Sequence, residues 1–582
     1  MTDANDIPTT ESTAKPAKIR LWPAVIVSVL GAGTTLAIQQ FGSTNYHNFV
    51  GIGLAPLVGF VLLLLWWLFA SRVPWKHRAL GLLVFFPLLG GLYFTHAGDG
   101  QANPIFIVVT ALPYLCYGAV LVLLVTSRMT WGAQARRAMI YLFACAVVFG
   151  AMRVDSMGGD LAPVLTWRWE TGVEEAPPPA LPADSPGKVA TLPEALVTED
   201  WPAFRGPNRD SHLAGVRFST DWGGGPREVW RHRVGIGWSS YAAVGEYLFT
   251  QEQRGEQESV ACYRADTGEA VWISSVAASF VDVSGSGPRA TPTYEGGKLY
   301  AMGATGTLQC LDAATGAEVW RRDMAADTGA DVPQWGFASS PLIVDDLLIL
   351  FCGGSNESSV VAYNKRDGEL VWNTGKGKRG YSSGHLVTFA DVPQVLMSSN
   401  FGIQSYVPQS GEVLWEHAWE VNTNPRVVQP LVSPENAVMI GTAAGMGMRR
   451  LAVTHEAGAW NVEEAWTTRK YRPYFNDGIL YEGHCYGFDG NRLSCIDAHT
   501  GEMQWRGERM GGQLLFVRDM KSLLILTEEG EVVIVPTTPE AFTVTARFQA
   551  LSGKTWNHPV IARGKLYVRN AEEAACFELA GM

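Results

Sequence analysis

The stretch Leu311-Asp312-Ala313-Ala314-Thr315-Gly316-Ala317-Glu318-Val319-Trp320 recurs in variant form through the last two-thirds of the chain, and its spacing constrains the fold more than any other feature. Gly268, Gly316, Gly368, Gly411 and Gly501 each stand four residues before a tryptophan: Trp272, Trp320, Trp372, Trp415 and Trp505. Strand-type residues flank each glycine, so the template reads as a β-hairpin whose turn needs the positive φ that glycine supplies. Asp312, Asn364 and Asp497, with Thr267, Thr315 and Thr500, carry side chains that bond the backbone of such turns.

A four-stranded sheet cannot bury both faces alone, so a large flat side chain at a fixed place in each repeat implies stacking of one sheet on the next. Weaker copies at Trp230, Trp466 and Phe548 complete the series. The anchors Trp230, Trp272, Trp320, Trp372, Trp415, Trp466, Trp505 and Phe548 recur at intervals of roughly 40 to 50 residues, the blade length of β-propellers. The expected fold is an all-β eight-bladed propeller. Trp556 to Leu579 supplies three strands and Val229-Trp230-Arg231 a lone fourth, so the N- and C-terminal strands are expected to pair and close the wheel without open edges.

The eight cysteines fit the repeat rather than a disulfide framework. Cys262, Cys310 and Cys495 fall six residues before the turn glycine, where other repeats have Ala362 and Ser405, and Cys576 fits the last copy. Equivalent positions on different blades are too far apart for a bond that needs Cα atoms within about 7 Å. This is a slot for small side chains.

The front of the chain differs. A polar stretch, Met1 to Arg20, precedes charge-free runs at Leu21 to Phe41, Phe49 to Ala70, Ala79 to Ala97, Pro104 to Thr126 and Ala138 to Met152. Read as five transmembrane helices of an all-α bundle, they are near the length of about 20 residues that spans a bilayer, the last being the shortest. Lys15, Lys18 and Arg20, then Arg72, Lys76 and Arg78, then Arg128, Arg136 and Arg137 mark alternate loops as cytoplasmic, which sends the propeller to the periplasm. No run holds Lys, Arg, Asp or Glu, which disfavours transport. His47 and His96 lie at the outer ends, where a quinone head group could dock or where they are simply interfacial. The resulting domains are a cytoplasmic tail (1–20), a transmembrane domain (21–152), a Pro-rich linker (153–200) and the propeller (201–582). The aromatics of Trp201 to Asp210 are expected to plug one propeller face or cover a blade edge. A net charge of −11, 45 basic against 56 acidic residues, with no basic stripe, argues against nucleic-acid partners and reads as solubility.

The Ala-x-x-Thr-Gly-x-x-x-Trp pattern of Leu311 to Trp320 and Ile496 to Trp505 resembles the repeat of the pyrroloquinoline quinone (PQQ) enzymes. The resemblance covers about 350 residues. It implies the propeller fold and either of two functions, because the same repeats build PQQ-dependent dehydrogenases and a cofactor-free assembly lipoprotein of the outer membrane. Helices followed by such a propeller resemble membrane-bound quinoprotein glucose dehydrogenase. The short, regular blades resemble the assembly lipoprotein more, although no N-terminal cysteine is present to lipidate. No adjacent Cys-Cys pair occurs, as the alcohol dehydrogenases of the family would have.

Propeller ligands bind on the axis, at the entrances to the innermost strands. By the repeat these positions are Trp238, Arg289, Trp335, Tyr381, Arg426, Arg472 and Trp556, with Asp477, Asn557 and His558 close behind. Aromatics alternating with arginines could hold a flat polyanion such as PQQ, an anionic glycan or a peptide, or merely bridge neighbouring blades. Asp477 or His558 is a candidate general base. Ser239, Ser240, Ser339, Ser340, Ser382 and Ser383 begin the same strands and favour the bridging reading, since small hydroxyl residues let strands crowd near the axis. The expectation is a periplasmic binding or scaffolding module anchored in the bacterial inner membrane, without catalysis, cofactor or metal. Its partners would be membrane lipid and periplasmic or membrane proteins. The alternative is a dehydrogenase using PQQ and calcium to reduce membrane quinone.

Overall fold

The computed structural model describes residues 19–41, 49–96, 103–158, 163–170, 191–193, 195–223, 225–282, 284–355, 357–422, 426–442 and 445–579. The tail, His47 and most of the Pro-rich linker lie outside them. The chain divides into two compact units, one of residues 1–155 with 161–170 and one of residues 156–160 with 171–582.

The larger unit is an eight-bladed β-propeller. Blades 1 to 8 span 242–276, 293–323, 342–374, 385–418, 431–468, 479–509, 512–549 and 560–578. Each is an antiparallel meander, and blade 8 takes its fourth strand from Arg227–Arg233, which pairs antiparallel with Glu573–Glu578. Blade 7 gains a fifth strand, because His212–Leu213 pairs in parallel with its innermost strand, Gly512–Val517.

The five turn glycines have φ between 71° and 74°, and each N–H bonds the carbonyl four residues back, as Gly316 does to Asp312 at 2.8 Å. Positive φ is only half the requirement. A Cβ on Gly316 would lie 2.5 Å from the Trp272 ring, and Gly368 and Gly411 meet Trp320 and Trp372 as closely. The tryptophan of one blade lies flat on the glycine of the next. Its indole N–H then bonds the carbonyl three residues before that glycine: Trp230 to Ala265 (3.0 Å), Trp272 to Ala313 (3.1 Å), Trp320 to Lys365 (3.0 Å), Trp372 to Pro408 (3.0 Å) and Trp466 to Ala498 (3.1 Å). The polar edge of the wedge is thereby satisfied while its face is buried. Trp415 departs from the rule. Blade 5 replaces the glycine turn with a long hairpin, Gly447–Glu456 against Ala459–Thr468, and the Trp415 N–H bonds Gln394 Oε1 of its own blade at 2.6 Å. Phe548 fills the wedge position of blade 7 against Phe577 of blade 8, with centroids 5.0 Å apart.

Opposite each wedge sits the small-residue slot. Cys262, Cys310, Cys495 and Cys576 face Trp272, Trp320, Trp505 and Trp230 across the strand pair, and a register shift follows each. All four are free, buried thiols.

The smaller unit contains helices Trp22–Phe41, Ala55–Leu65 flanked by π-helical turns Phe49–Leu54 and Trp66–Ala70, Trp75–Thr95, Asn103–Val125 and Trp131–Gly150. Among the described residues only Trp75–Thr95 and Ile107–Val125 are long and apolar enough to cross a membrane, which corrects the expectation of five spans. The second helix carries 11 regular α-helical residues, and the fifth starts early enough to include Gln134, Arg136 and Arg137. Within this unit His96 is fully buried, its Nε2 3.2 Å from Phe149 O and its Nδ1 3.1 Å from Arg168 Nη1, so both ring nitrogens are engaged.

Candidate functional site

Where the innermost strands converge, their first N–H groups face a neighbouring blade rather than a ladder partner, and such buried donors must be satisfied. Side chains of the next blade do this in sequence. Ser240 N bonds Thr291 Oγ1 (3.1 Å), Thr291 N bonds Ser340 Oγ (3.0 Å), Ser340 N bonds Ser383 Oγ (2.9 Å), and Ser383 N bonds Gln429 Oε1 (3.0 Å). Gln429 N bonds Asp477 Oδ1 (2.8 Å), Asp477 N bonds Gln513 Oε1 (3.3 Å), and Ser240 Oγ donates to His558 O (2.6 Å). A hydrogen-bonded girdle therefore links blade 8 to blade 1 and then blades 1 to 7 in sequence around the axis. The serines were legible in the sequence. Thr291, Gln429 and Gln513 were not, because the side-chain type changes while the role stays the same.

One mouth of this neck is partly covered by the strap Trp201 to Leu213. Ala243 N, Tyr294 N and Phe516 N donate to Trp201 O (2.8 Å), Pro202 O (2.8 Å) and Ser211 O (2.8 Å), which ties the strap to blades 1, 2 and 7. Arg209 reaches blade 3 through Ser340 O (3.0 Å) and Pro341 O (2.9 Å), and Phe204 packs edge-on against His558 of blade 8 at 5.0 Å. Arg205 donates to Gly478 O (2.9 Å) and Ser211 Oγ (2.8 Å), with Nη1 3.7 Å from Asp477 Oδ2. Burial and the neighbouring Arg205 push Arg209 down to about 9. The strap thus inserts two buried guanidiniums that grip backbone carbonyls.

The opposite mouth collects most of the residues singled out by the repeat. Trp238 packs on Trp556 (4.9 Å), Phe475 on Trp556 (5.2 Å), and Lys554 Nζ lies 4.9 and 4.2 Å from the two indole centroids. Trp335 packs on Tyr381 at 5.1 Å and donates its backbone N–H to the Tyr381 hydroxyl at 3.1 Å. Arg289 lies over Phe280 at 4.6 Å and donates to Gly285 O and Gly287 O. Arg426 is buried between blades 4 and 5, bonding Ser399 O at 2.7 Å and Trp419 O, and burial with Arg449 lowers it to about 9. Arg472 is paired with buried Asp489 at 3.1 Å. Asn557 lies in the neck, donating to Ser239 O at 2.7 Å. Asp477 and His558 lie on the strap side, so the predicted residues split between two mouths instead of forming one ring.

His558 is not set up for proton abstraction near neutral pH. Burial, reinforced by Arg205, holds His558 at about 3, so its imidazole is neutral and weakly basic. Its Nε2 lies 3.7 Å from Asp477 Oδ2, a contact between a neutral ring and a carboxylate. Burial raises Asp477, and Arg205 and the Gln429 N–H offset this only in part. Among the described residues no three His, Cys, Asp or Glu side chains gather as a metal site.

Eight such blades, with tryptophan laid on glycine at five of their seams, define a PQQ-type repeat propeller. The family model described as outer membrane protein assembly factor BamB matches residues 256–469 and 402–574, more than half of the chain together, and the chain belongs to that family. BamB of Yersinia pestis is 22% identical over 316 residues, covering 52% of this chain and 76% of that protein. Quinoprotein alcohol dehydrogenase PedH of Pseudomonas putida is 28% identical over 138 residues, 22% of each chain. The crystal structure of BamB from Moraxella catarrhalis aligns with a TM-score of 0.44 at 15% identity, covering 61% of this chain and 98% of that one.

Proposed function

We propose that the chain is a membrane-anchored propeller in which the eight blades close into a ring and serve as a binding and scaffolding module without catalysis. The observation that carries this reading is the occupied axis: the girdle ties up the backbone donors that enter the neck, and the strap covers one mouth over blades 1, 2 and 7. The competing reading, a PQQ- and calcium-dependent dehydrogenase reducing membrane quinone, needs converging oxygen donors. Asp477, the carboxylate of the neck, is already bonded by Gln429 N and faces Arg205, which does not suit a divalent cation. The purified chain, supplied with PQQ and calcium, is expected to reduce no dye with sugars or alcohols. Sustained turnover on any of these substrates would overturn the reading.

Anchoring rests on Trp75–Thr95 and Ile107–Val125. Two crossings return the chain to its starting side, so the location we propose, an inner-membrane anchor with a cytoplasmic N-terminus and a periplasmic propeller, needs an odd number of crossings, with one of the other helices of the smaller unit also spanning. Val281 is 71% exposed and the propeller's own cysteines are buried, so Val281→Cys gives a clean reporter. It should react with a membrane-impermeant maleimide in intact spheroplasts. Labelling only after lysis would place the propeller in the cytoplasm.

A further inference from the structure

The strap leaves part of its own mouth uncovered. A cleft of about 350 Å³ remains between Arg205, Asn208, Asp210 and His212 of the strap and the innermost strands of blades 4, 5 and 6. The strap shows how this mouth is used. Ala243, Tyr294 and Phe516 each lie three residues beyond the girdle position of their blade (Ser240, Thr291, Gln513), and each donates its N–H to a strap carbonyl. The same offset from Ser383, Gln429 and Asp477 gives Leu386, Val432 and Leu480, and all three line the cleft. Their pairing to the second strand of the blade is also equivalent: Ala243 faces Leu248, and Leu386, Val432 and Leu480 face Val395, Val438 and Cys485. Burial tracks the strap. Ala243, Tyr294 and Phe516 are 3%, 6% and 0% exposed, whereas Leu386 is 42% exposed and Val432 and Leu480 are half-buried.

We propose that this cleft binds an extended peptide segment of a partner protein, which continues around blades 4 to 6 the backbone pairing that the strap makes with blades 7, 1 and 2. An extended segment offers carbonyls at the required spacing, and Leu386, Val432 and Leu480 receive its apolar side chains while Asn208, Asp210 and His212 face its polar edge. This deepens the binding-module reading and rests on it.

The test uses the full-length chain in detergent and short peptides selected from a random displayed library. Selected peptides are expected to be extended, with apolar residues at alternate positions, and to slow amide exchange in 385–389, 430–436 and 478–482. Val432→Pro, which deletes one edge donor, and Leu386→Glu, which charges the apolar wall, should each weaken binding by roughly tenfold. Trp556→Ala, at the opposite mouth, should leave it unchanged. Binding that survives both cleft substitutions and fails with Trp556→Ala would overturn the cleft assignment while leaving a binding module intact. Failure to select any peptide overturns the assignment as well. Neither outcome bears on catalysis, which the dye-reduction assay decides separately.

Discussion

Gly316→Val is expected to destabilise the propeller by about 4 kcal/mol, among the larger effects a single substitution produces. Two causes add. At φ 71° a β-branched residue is strained, and its Cβ would sit 2.5 Å from Trp272, forcing the wedge off the turn and breaking the bond to Ala313 O. Gly316→Asn separates them, because Asn tolerates the left-handed region but carries the same Cβ; it should still cost about 2 kcal/mol. Gly255 is the control. Its φ is 60° with nothing within 4 Å of a Cβ, so Gly255→Asn should change stability by less than about 0.5 kcal/mol. Urea denaturation followed by tryptophan fluorescence measures all three. Equal costs for Gly316→Asn and Gly255→Asn would show that the turn needs only its backbone conformation and that the wedge is incidental.

Asp477→Ala should cost about 3 to 5 kcal/mol, the range for breaking a buried ionic contact from one side. The loss leaves Gln429 N without its acceptor and the buried Arg205 guanidinium without a counter-charge. Asp477→Asn keeps an acceptor for Gln429 and sheds the desolvation that raises the carboxyl, so it should cost less than half as much. The raised value also sets the pH dependence. A carboxyl easier to protonate when folded favours the folded state below the unfolded value near 3.8, and that contribution fades as pH rises through the folded value. Unfolding free energies measured from neutral to acidic pH should therefore show the gap between wild type and Asp477→Asn widening toward acid, because only the wild type gains from protonation in the folded state. A gap that narrows or reverses toward acid would mean that Arg205 dominates the site and holds the carboxyl down.

The propeller was legible because Gly316 and Trp320 encode a local turn and an inter-blade wedge in one window, repeated often enough to count. Even the departures were readable: Trp466 and Phe548 lack a clean glycine turn in sequence, and blades 5 and 7 are where the structure is irregular. The helices were overcounted for a physical reason. Charge-free runs measure composition, whereas spanning needs continuous apolar helix; Phe49–Leu54 and Trp66–Ala70 are π-helical, and Arg136 and Arg137 sit inside the fifth helix. The axis was half legible. Ser240, Ser340 and Ser383 announced crowding, but Gln429 and Gln513 do the same work with a different side chain. Contacts such as Arg205 with Asp477 join residues far apart in sequence, and no local pattern marks them.

The account depends on the strap and girdle occupying the propeller's axis. Backbone amide exchange of the intact chain tests this at Gly206, Arg209 and Ser211, whose N–H groups bond Ala203 O, Gly206 O and Arg205 O beneath the mouth, and at Trp201, bonded to Ala243 O. These amides should exchange as slowly as those of the buried strand Leu523 to Leu526 of blade 7. Exchange of the whole strap as fast as an exposed loop, with blade 7 still protected, would mean that the axis is open and would contradict the account.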